Sequence, residues 1–338
     1  MKNVFLKIAY KYHEWLEQME QNENNQTILI TGAAGNLGGL LANYLKNRKL
    51  HLLVHKKEVA EELKNRSNIQ IFKADLAQME TLYSAMEGVT TVVHFAGVLF
   101  KSRPEKFLPF TNTFYFNNLL DVAIEQRVQR VILISFPHVE GETTPQNPAT
   151  GRLDGQPVSI HAATRLQEEK DLFRKCAAAS IDAVSLLVGM VYGKGILMID
   201  AAEWFGKHYL LGIWKKPMYI HLISKDDFLA ATTAAIDKEN IRGIYHIGDE
   251  GIQTLQEFLD KVARYKHYHR PWRMPIGMIL AAARGFELFS MLFNTRSHLT
   301  KDFVTIGQIS YYGDTTRMRN DLLPKLKYTT FEEGLETF

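Results

Sequence analysis

Several classes of protein are excluded by what this sequence lacks. Its one cysteine in 338 residues, Cys176, cannot form an internal disulfide or a cysteine-rich metal site, and such scarcity is typical of a reducing compartment, so a cytoplasmic location is expected. The 40 basic and 37 acidic residues are interspersed and give a net charge of +3, which argues against a dedicated nucleic-acid-binding protein. Hydrophobic residues make up 46% of the chain, which excludes a disordered or fibrous protein.

Long apolar runs are also missing. The first residues lack the continuous apolar core of a secretory signal, so no signal peptide is expected. Residues 272–293 have about the length of a membrane span, roughly 20 residues. Helix breakers and charges interrupt them at Pro275, Gly277, Arg284, Gly285 and Glu287. Because charges at mid-span are costly in lipid, this stretch predicts a buried or surface-docking helix and no membrane span.

The N-terminal residues 1–26 carry an amphipathic pattern that ends in a polar linker. Apolar residues recur there at helical spacing, at Val4, Phe5, Ile8, Ala9, Tyr12, Trp15, Leu16 and Met19. We expect this stripe to pack against the same chain, a second copy in a homodimer, or a partner subunit. Peripheral membrane contact is the alternative, which the acidic second half of the helix disfavours.

From Thr27 onward, short apolar runs alternate with amphipathic segments, as in a parallel sheet with crossover helices. Predicted strands are Thr27–Thr31, His51–His55, Ile69–Lys73, Thr91–Phe95, Arg130–Ser135, Ala183–Leu187 and Gly243–Gly248. Predicted helices are Gly38–Asn47, Glu58–Lys64, Met79–Met86, Asn117–Glu125 and Thr164–Ala179. The fold class is therefore α/β, with a sheet domain in residues 27–195 and 221–250. Residues 196–220 and 251–338, where the alternation weakens, predict a smaller lobe.

The first strand leads directly into the glycine-rich turn Thr31-Gly32-Ala33-Ala34-Gly35-Asn36-Leu37-Gly38, and a helix follows. Gly32 allows the tight turn, Gly35 lets the backbone approach a pyrophosphate, and Gly38 allows the helix to pack closely on the strand. The N-terminus of the helix offers unpaired N–H groups and a positive dipole end to phosphates. A structural turn is the alternative, but the continuing alternation favours a dinucleotide site.

With these residues the sequence resembles the extended short-chain dehydrogenase/reductase family, which is NAD-dependent epimerase/dehydratase-like, from Thr27 to the C-terminus. Further matches are Ala74-Asp75-Leu76, His94-Phe95-Ala96-Gly97, Asn112, Asn118–Ala123, Val191-Tyr192-Gly193 and Ser224-Lys225-Asp226-Asp227. The resemblance implies a Rossmann-type doubly wound parallel sheet with a smaller C-terminal substrate lobe. It also implies cofactor contacts from Gly32, Gly35, Asn36, Leu37, Gly38, Asp75, Leu76, Phe95, Ala96 and Gly97.

The end of the second strand indicates which nicotinamide cofactor is preferred. Enzymes that prefer NAD place an acidic residue there, against the ribose 2′-hydroxyl, whereas those that prefer NADP place basic residues. This sequence has His55, Lys56 and Lys57 at that position. A solvated basic turn is the alternative, and we predict NADP(H) as the cofactor.

The family transfers hydride with a Tyr-x-x-x-Lys pair on a helix and a Ser or Thr at the end of the fifth strand. Here His161 and Arg165 occupy the positions of the Tyr and the Lys, and Ser135 matches the first residue of the family's Ser pair. The position credited with catalysis falls nearer Phe136 or Pro137. An imidazolium at His161, with a pKa of about 6.5, is one candidate acid. Arg165 can hydrogen-bond the ribose hydroxyls, and Ser135 can add a bond to the substrate oxygen.

Two classes of function stay open. One is an atypical NADP(H)-dependent oxidoreductase acting on a small apolar carbonyl or alcohol, sterol-, terpenoid-, polyketide- or lipid-like. The other is a non-catalytic NADP(H)-binding accessory subunit or sensor. No metal site is expected, because His267 and His269 lack an acidic or cysteine partner nearby.

The candidate substrate segments are apolar, at Val98–Phe100, Leu210–Trp214 and Met278–Phe293, although the same residues can form the core of the lobe. A nucleotide-sugar epimerase or dehydratase is the further alternative. The cations that would suit its diphosphate are Lys101, Arg103, Lys207, Lys215 and Lys216.

Overall fold

The computed structural model describes residues 26–97, 103–293 and 299–338. Its strands are β1 (Thr27–Thr31), β2 (Lys49–Val54), β3 (Ile69–Lys73), β4 (Thr91–His94), β5 (Arg130–Ser135), β6 (Asp182–Val188), β7 (Met190–Tyr192), β8 (Gly212–Trp214), β9 (Tyr219–Ile220), β10 (Leu222–Ser224), β11 (Gly243–Ile247), β12 (Gln253–Thr254) and β13 (Trp272–Met274). Its helices are α1 (Asn36–Tyr44), α2 (Glu61–Lys64), α3 (Tyr83–Met86), α4 (Tyr115–Glu125), α5 (Ile160–Ala179), α6 (Leu197–Lys207), α7 (Lys225–Asp237), α8 (Leu255–Tyr265), α9 (Ile276–Leu292), α10 (Lys301–Ile306) and α11 (Phe331–Gly334). The predicted N-terminal helix and linker lie outside the described residues, apart from Gln26.

Within the described residues, seven strands form one parallel sheet in the order β11-β6-β5-β4-β1-β2-β3. Strand β1 shows why the sheet is covered on both faces. Ile28 and Ile30 pack into one buried cluster, and Leu29 packs into a second cluster on the other face. Alternate side chains point to opposite faces, so a strand that is apolar throughout needs helices on both sides. The predicted α/β doubly wound sheet is confirmed.

Some predicted boundaries were wrong. Residues 79–86 are not one helix but a 3-10 turn, Met79–Thr81, followed by α3. Helix α1 begins at Asn36 because Gly35 is already its N-cap. Helix α5 begins at Ile160, four residues earlier than predicted, because the Ser159 hydroxyl accepts the N–H of Ala162 at 3.1 Å and caps the helix there.

The lobe predicted from residues 196–220 and 251–338 contains α6, α8, α9 and the short strand pairs β9–β12 and β8–β13. One buried cluster runs from the main sheet into these elements, and it includes Ile30, Val188, Trp214, Phe258 and Ile279. The sheet and these elements therefore share a continuous core. No helix of the described residues is both long and apolar enough to cross a bilayer.

The C-terminal end of α7 is fixed to the sheet by Arg130, a buried residue at the start of β5. Its guanidinium donates to the carbonyl oxygens of Ala235, Ile236 and Lys238 at 2.9, 3.0 and 2.8 Å and to Asp182 at 3.1 Å. Carbonyls at the end of a helix have no partner within the helix, so a buried end needs donors from elsewhere.

Replacing Arg130 with Met should leave those carbonyls without partners and lower the free energy of unfolding by at least about 2 kcal/mol. Urea titration measures this change. The control Arg152→Met removes an exposed ion pair with Asp154 and should cost less than about 0.5 kcal/mol. Equal losses in the two variants would contradict the role given to Arg130.

Candidate active site

The glycine turn between β1 and α1 has the geometry that the sequence predicts. Gly32 has a φ of +68°, and a Cβ there would lie 3.1 Å from the backbone nitrogen of Ala96. A Cβ on Gly38 would collide with the carbonyl oxygen of Gly32. No side chain caps the N-terminus of α1, so its first N–H groups are free to meet a phosphate. These residues fit the pyrophosphate of a dinucleotide.

Asn36 fastens this turn to the loop before α6. Its side-chain amide donates to the carbonyl oxygen of Gly195 at 2.8 Å, and its carbonyl oxygen accepts the N–H of Leu197 at 2.9 Å. The side chain predicted to contact a cofactor thus joins the turn to the lobe. A cofactor contact from Asn36 would come from its backbone.

The turn after β4 lies beside the glycine turn and is held by Thr31. The Thr31 hydroxyl is 2.9 Å from Nδ1 of His94, and the N–H groups of Phe95 and Ala96 approach it at 3.2 and 3.3 Å. His94 is buried, and burial together with the charge of Arg165 lowers its pKa to about 3. The predicted residues 95–97 therefore form a fixed wall beside the glycine turn.

The basic residues predicted to select NADP(H) lie at the exposed end of β2. His55, Lys56 and Lys57 are all exposed, and His55 Nε2 lies 3.7 Å from a carboxylate oxygen of Asp75. Leu76 follows Asp75, and its carbonyl accepts the amide of Asn118 at 2.8 Å. The β2 and β3 ends are thus adjacent, as the resemblance implies, and the two lysines have room to meet a phosphate.

Helix α5 carries His161 and Arg165 one turn apart, and both are buried. The Arg165 guanidinium donates to Glu168 at 2.8 Å and approaches the carbonyl oxygen of Ala96 at 3.5 Å. A Cβ on Gly97 would meet the same guanidinium, which would have to move to make room for it. Arg165 therefore lies against the end of β4, where the resemblance puts the nicotinamide ribose.

Sequence reasoning missed the buried carboxyls of α5. Glu168 pairs with Arg165, and burial raises its pKa while the guanidinium opposes that rise. Burial also raises the pKa of Glu169 to about 8. The spacing of three residues between Arg165 and Glu168 predicts neighbouring side chains on a helix. Charged residues are seldom fully buried, so the spacing alone does not mark these carboxyls as buried.

Ser135 differs from its predicted role. Its hydroxyl is buried and donates a hydrogen bond to the Glu169 carboxyl, so it is engaged inside the protein rather than free for a substrate oxygen. The position that the family gives to its catalytic hydroxyl falls nearer Phe136 or Pro137, and neither side chain carries a hydroxyl. The Phe136 ring meets the His161 ring edge to face, with centroids 5.3 Å apart.

His161 is neutral at physiological pH, which corrects the predicted imidazolium. Burial lowers its pKa to about 3, and the charges of Arg165 and His138 act in the same direction. His138 stacks on Phe136 at 4.5 Å, and burial lowers its pKa to about 4. A neutral imidazole can donate or accept a hydrogen bond, but it is a far weaker proton donor than an imidazolium.

Only some of the apolar segments predicted to face the substrate lie within the described residues. Val98–Phe100 and Lys101 lie outside the described residues. Leu210 is exposed, and the segment that follows it contributes β8. Across residues 26–97, 103–293 and 299–338, no group of three His, Cys, Asp or Glu side chains could hold a metal ion.

Comparison with known proteins gives a family and two curated relatives. Residues 28–208, more than half of the chain, match the model of the NAD dependent epimerase/dehydratase family. A uronate dehydrogenase of Pseudomonas syringae pv. tomato is 27% identical over 193 residues, 57% of this chain and 69% of that protein. The human sterol-4-alpha-carboxylate 3-dehydrogenase, decarboxylating, is 22% identical over 271 residues, 76% of this chain and 70% of that protein.

Solved structures share the fold. The UDP-glucuronic acid 4-epimerase of Bacillus cereus, solved with UDP-glucuronic acid and NAD, has a TM-score of 0.70 at 18% identity and covers 92% of this chain and 97% of its own. The dTDP-glucose 4,6-dehydratase of Streptomyces venezuelae, solved with NAD, also has a TM-score of 0.70, at 15% identity. The match covers 92% of this chain and 95% of the dehydratase chain. The family supports a nicotinamide dinucleotide as cofactor, and the choice of NADP(H) stays a prediction.

The neutral state of His161 has a consequence for stability. Its pKa in the folded protein, about 3, lies below the usual 6.5, so below pH 6.5 the unfolded chain binds a proton that the folded chain does not. Stability therefore falls as pH falls through this range. Between pH 6.5 and about pH 5, wild type should lose roughly 1.5 kcal/mol relative to His161→Asn, measured by urea unfolding at each pH. A difference that stays constant with pH would contradict a neutral His161.

Proposed function

We propose that this chain, which belongs to the NAD dependent epimerase/dehydratase family, is an NADP(H)-dependent oxidoreductase. It would interconvert a carbonyl and a hydroxyl group on a small apolar molecule. The observation that carries this proposal is the placement of Arg165. Its guanidinium lies against Ala96 and Gly97 at the end of β4, with His161 one helical turn before it. The pair thus keeps the positions of the family's Tyr and Lys with different chemistry.

A bound nicotinamide cofactor supplies or accepts the hydride, and the residues of this chain position the groups around it. The glycine turn and the N-terminus of α1 bind the pyrophosphate. Arg165, whose charge is fixed, donates to the ribose hydroxyls. Neutral His161 donates a ring N–H to the substrate oxygen and stabilises the negative charge that develops there. The proton that completes the hydroxyl group then comes from water, because a neutral imidazole releases its own proton too reluctantly.

An apolar substrate is supported by two observations. The ring of Phe136, which is apolar, packs edge to face against the ring of His161. The matched human relative is by name a sterol carboxylate dehydrogenase. The nucleotide-sugar alternative is supported by the fold shared with the UDP-glucuronic acid epimerase and by the exposed Lys207, Lys215 and Lys216. The uronate dehydrogenase adds a polar sugar acid to the range of substrates among relatives.

A specific observation also favours the second candidate, a non-catalytic NADP(H)-binding subunit or sensor. Phe136 or Pro137 stands where the family has a hydroxyl, Ser135 is bonded to Glu169, and His161 is neutral. The residues predicted to bind the cofactor keep the family's pattern, whereas those at the family's proton-transfer positions do not, and this difference supports the second candidate. Tight cofactor binding without turnover of any carbonyl substrate would favour this candidate.

The cofactor preference is tested by Lys56→Ala/Lys57→Ala. If the lysines bind a 2′-phosphate, the Kd for NADPH should rise about ten-fold or more, because each charge-assisted bond contributes about 1.5–3 kcal/mol. The Kd for NADH should change less than about two-fold. Fluorescence titration measures both constants. The matched control Lys46→Ala/Lys49→Ala removes the same charge near the start of β2, at the opposite edge of the sheet, and should leave both constants unchanged. Equal Kd values for NADPH and NADH in wild type would contradict the preference.

The role of His161 is tested by turnover of NADPH with a panel of apolar ketones. His161→Ala should lower kcat by about 10²-fold, as expected when one donor to a developing oxyanion is removed, with little change in the Kd of NADPH. Arg165→Ala should weaken NADPH binding as well. In wild type, titration of His161 should not change kcat between pH 6 and 8, because His161 stays neutral over that range.

A combined variant, His161→Tyr with Arg165→Lys and Phe136→Ser, introduces the family's residue types and should give turnover a tyrosine-dependent pH profile. Unchanged turnover in His161→Ala would remove His161 from the mechanism.

A further inference from the structure

Helix α9 leaves most of its apolar surface uncovered. Of its 17 residues, only Ile279, Ala283 and Ser290 are buried. Its large apolar side chains, and the residue that follows it, are about half exposed or more: Met278, Phe286, Leu288, Phe289, Leu292 and Phe293. At about 1.5 Å per residue the helix is roughly 25 Å long. Single exposed apolar residues are ordinary, but a continuous face of this size marks an interaction surface.

The uncovered surface continues past the start of α9 onto the strand pair β8–β13. Trp272 begins β13 and is 53% exposed, and its indole N–H donates to the carbonyl oxygen of Tyr209, which is 66% exposed. The neighbouring Leu210 and Trp204, from the end of α6, are exposed as well. Large aromatic residues with one polar atom thus border the apolar helix, as Trp and Tyr border the apolar zone of proteins at a membrane interface.

Both paired and unpaired cations border this surface. Basic residues just before α9 are neutralised by ion pairs, Lys266 with Glu203 and both Arg270 and Arg273 with Asp260. The parallel strands β8 and β13 end side by side, so the exposed Lys215 and Lys216 after β8 lie beside the start of α9. Among the described residues, Arg284, Lys215 and Lys216 make no ion pair.

We propose that this surface, formed by α9 and the exposed ends of α6 and β13, binds the anionic face of a lipid bilayer, with α9 lying parallel to the membrane plane. Phe and Leu side chains would enter the boundary of the acyl chains while the cations meet lipid phosphates and carboxylates. No described helix is long and apolar enough to cross a bilayer, so in this arrangement α9 stays at the surface and does not span the membrane.

A protein partner or a second copy of this chain fits these observations less well. Lysines are depleted in protein interfaces, and burying Lys215 and Lys216 without an acidic partner would be costly. At an anionic bilayer the same lysines keep their hydration and gain attraction of about 1 kcal/mol each. The unpaired cations therefore decide between the two kinds of occupant.

Flotation of the full chain with vesicles tests the proposal. We expect binding to vesicles of phosphatidylcholine with about one quarter phosphatidylserine, and at least ten-fold weaker binding to phosphatidylcholine alone. Binding should weaken as salt is raised, because the attraction between exposed charges is screened. Absence of binding to the mixed vesicles would overturn the proposal.

Two variants place the binding on this surface. Phe289→Ser/Leu292→Ser should weaken binding at least ten-fold with an unchanged Tm, since both side chains are exposed, at 55% and 72%. The control Val158→Ser/Ile252→Ser removes apolar side chains of similar exposure, 61% and 62%, elsewhere on the molecule and should bind as wild type does.

The cationic contribution has its own pair of variants. Lys215→Gln/Lys216→Gln should weaken binding to the mixed vesicles, while Lys46→Gln/Lys49→Gln should not.

Equal binding by wild type and Phe289→Ser/Leu292→Ser would overturn the proposal. So would a dimer in light scattering that this variant abolishes without any vesicle binding, because it would assign the surface to a second copy.

Discussion

The buried ion pair between Arg165 and Glu168 is the constraint on which the site depends. A guanidinium keeps its charge at any physiological pH, so once it is buried it must have a partner. Glu168 meets that need from within the same helix at 2.8 Å, and the carbonyl of Ala96 approaches from the end of β4. The pair therefore joins α5 to the strand end beside the glycine turn, and it fixes the distance between the helix and the sheet at the site.

The same charge sets the protonation of its surroundings. Both His94 and His161 are buried, and for each the positive charge of Arg165 adds to the effect of burial in lowering the pKa to about 3. A neutral imidazole at His161 and a permanent cation at Arg165 thus stand at the positions that the resemblance gives to the family's tyrosine and lysine. Neither Arg165 nor His161 therefore releases a proton readily near neutral pH.

Sequence patterns predicted the sheet and the glycine turn well because both follow from local rules. A strand such as β1, apolar at every position, must be covered on both faces, and TGxxGxxG requires glycine where backbone atoms approach closely. The pattern could not show that Glu168 and Glu169 are buried, because helical spacing gives the direction of a side chain and not the solvent around it. The same limit hid the bond between Ser135 and Glu169 and the burial that makes His161 neutral. Residues 79–86 were predicted as one helix because their apolar spacing does not show where the backbone tightens.

Gly97 and Arg165 are coupled neighbours. A methyl group at position 97 would meet the end of the Arg165 side chain. That side chain is flexible, so the guanidinium would move aside and leave its place against the carbonyl oxygen of Ala96. A substitution at position 97 would therefore act on the site through the position of the Arg165 charge, with the backbone of the turn left in place.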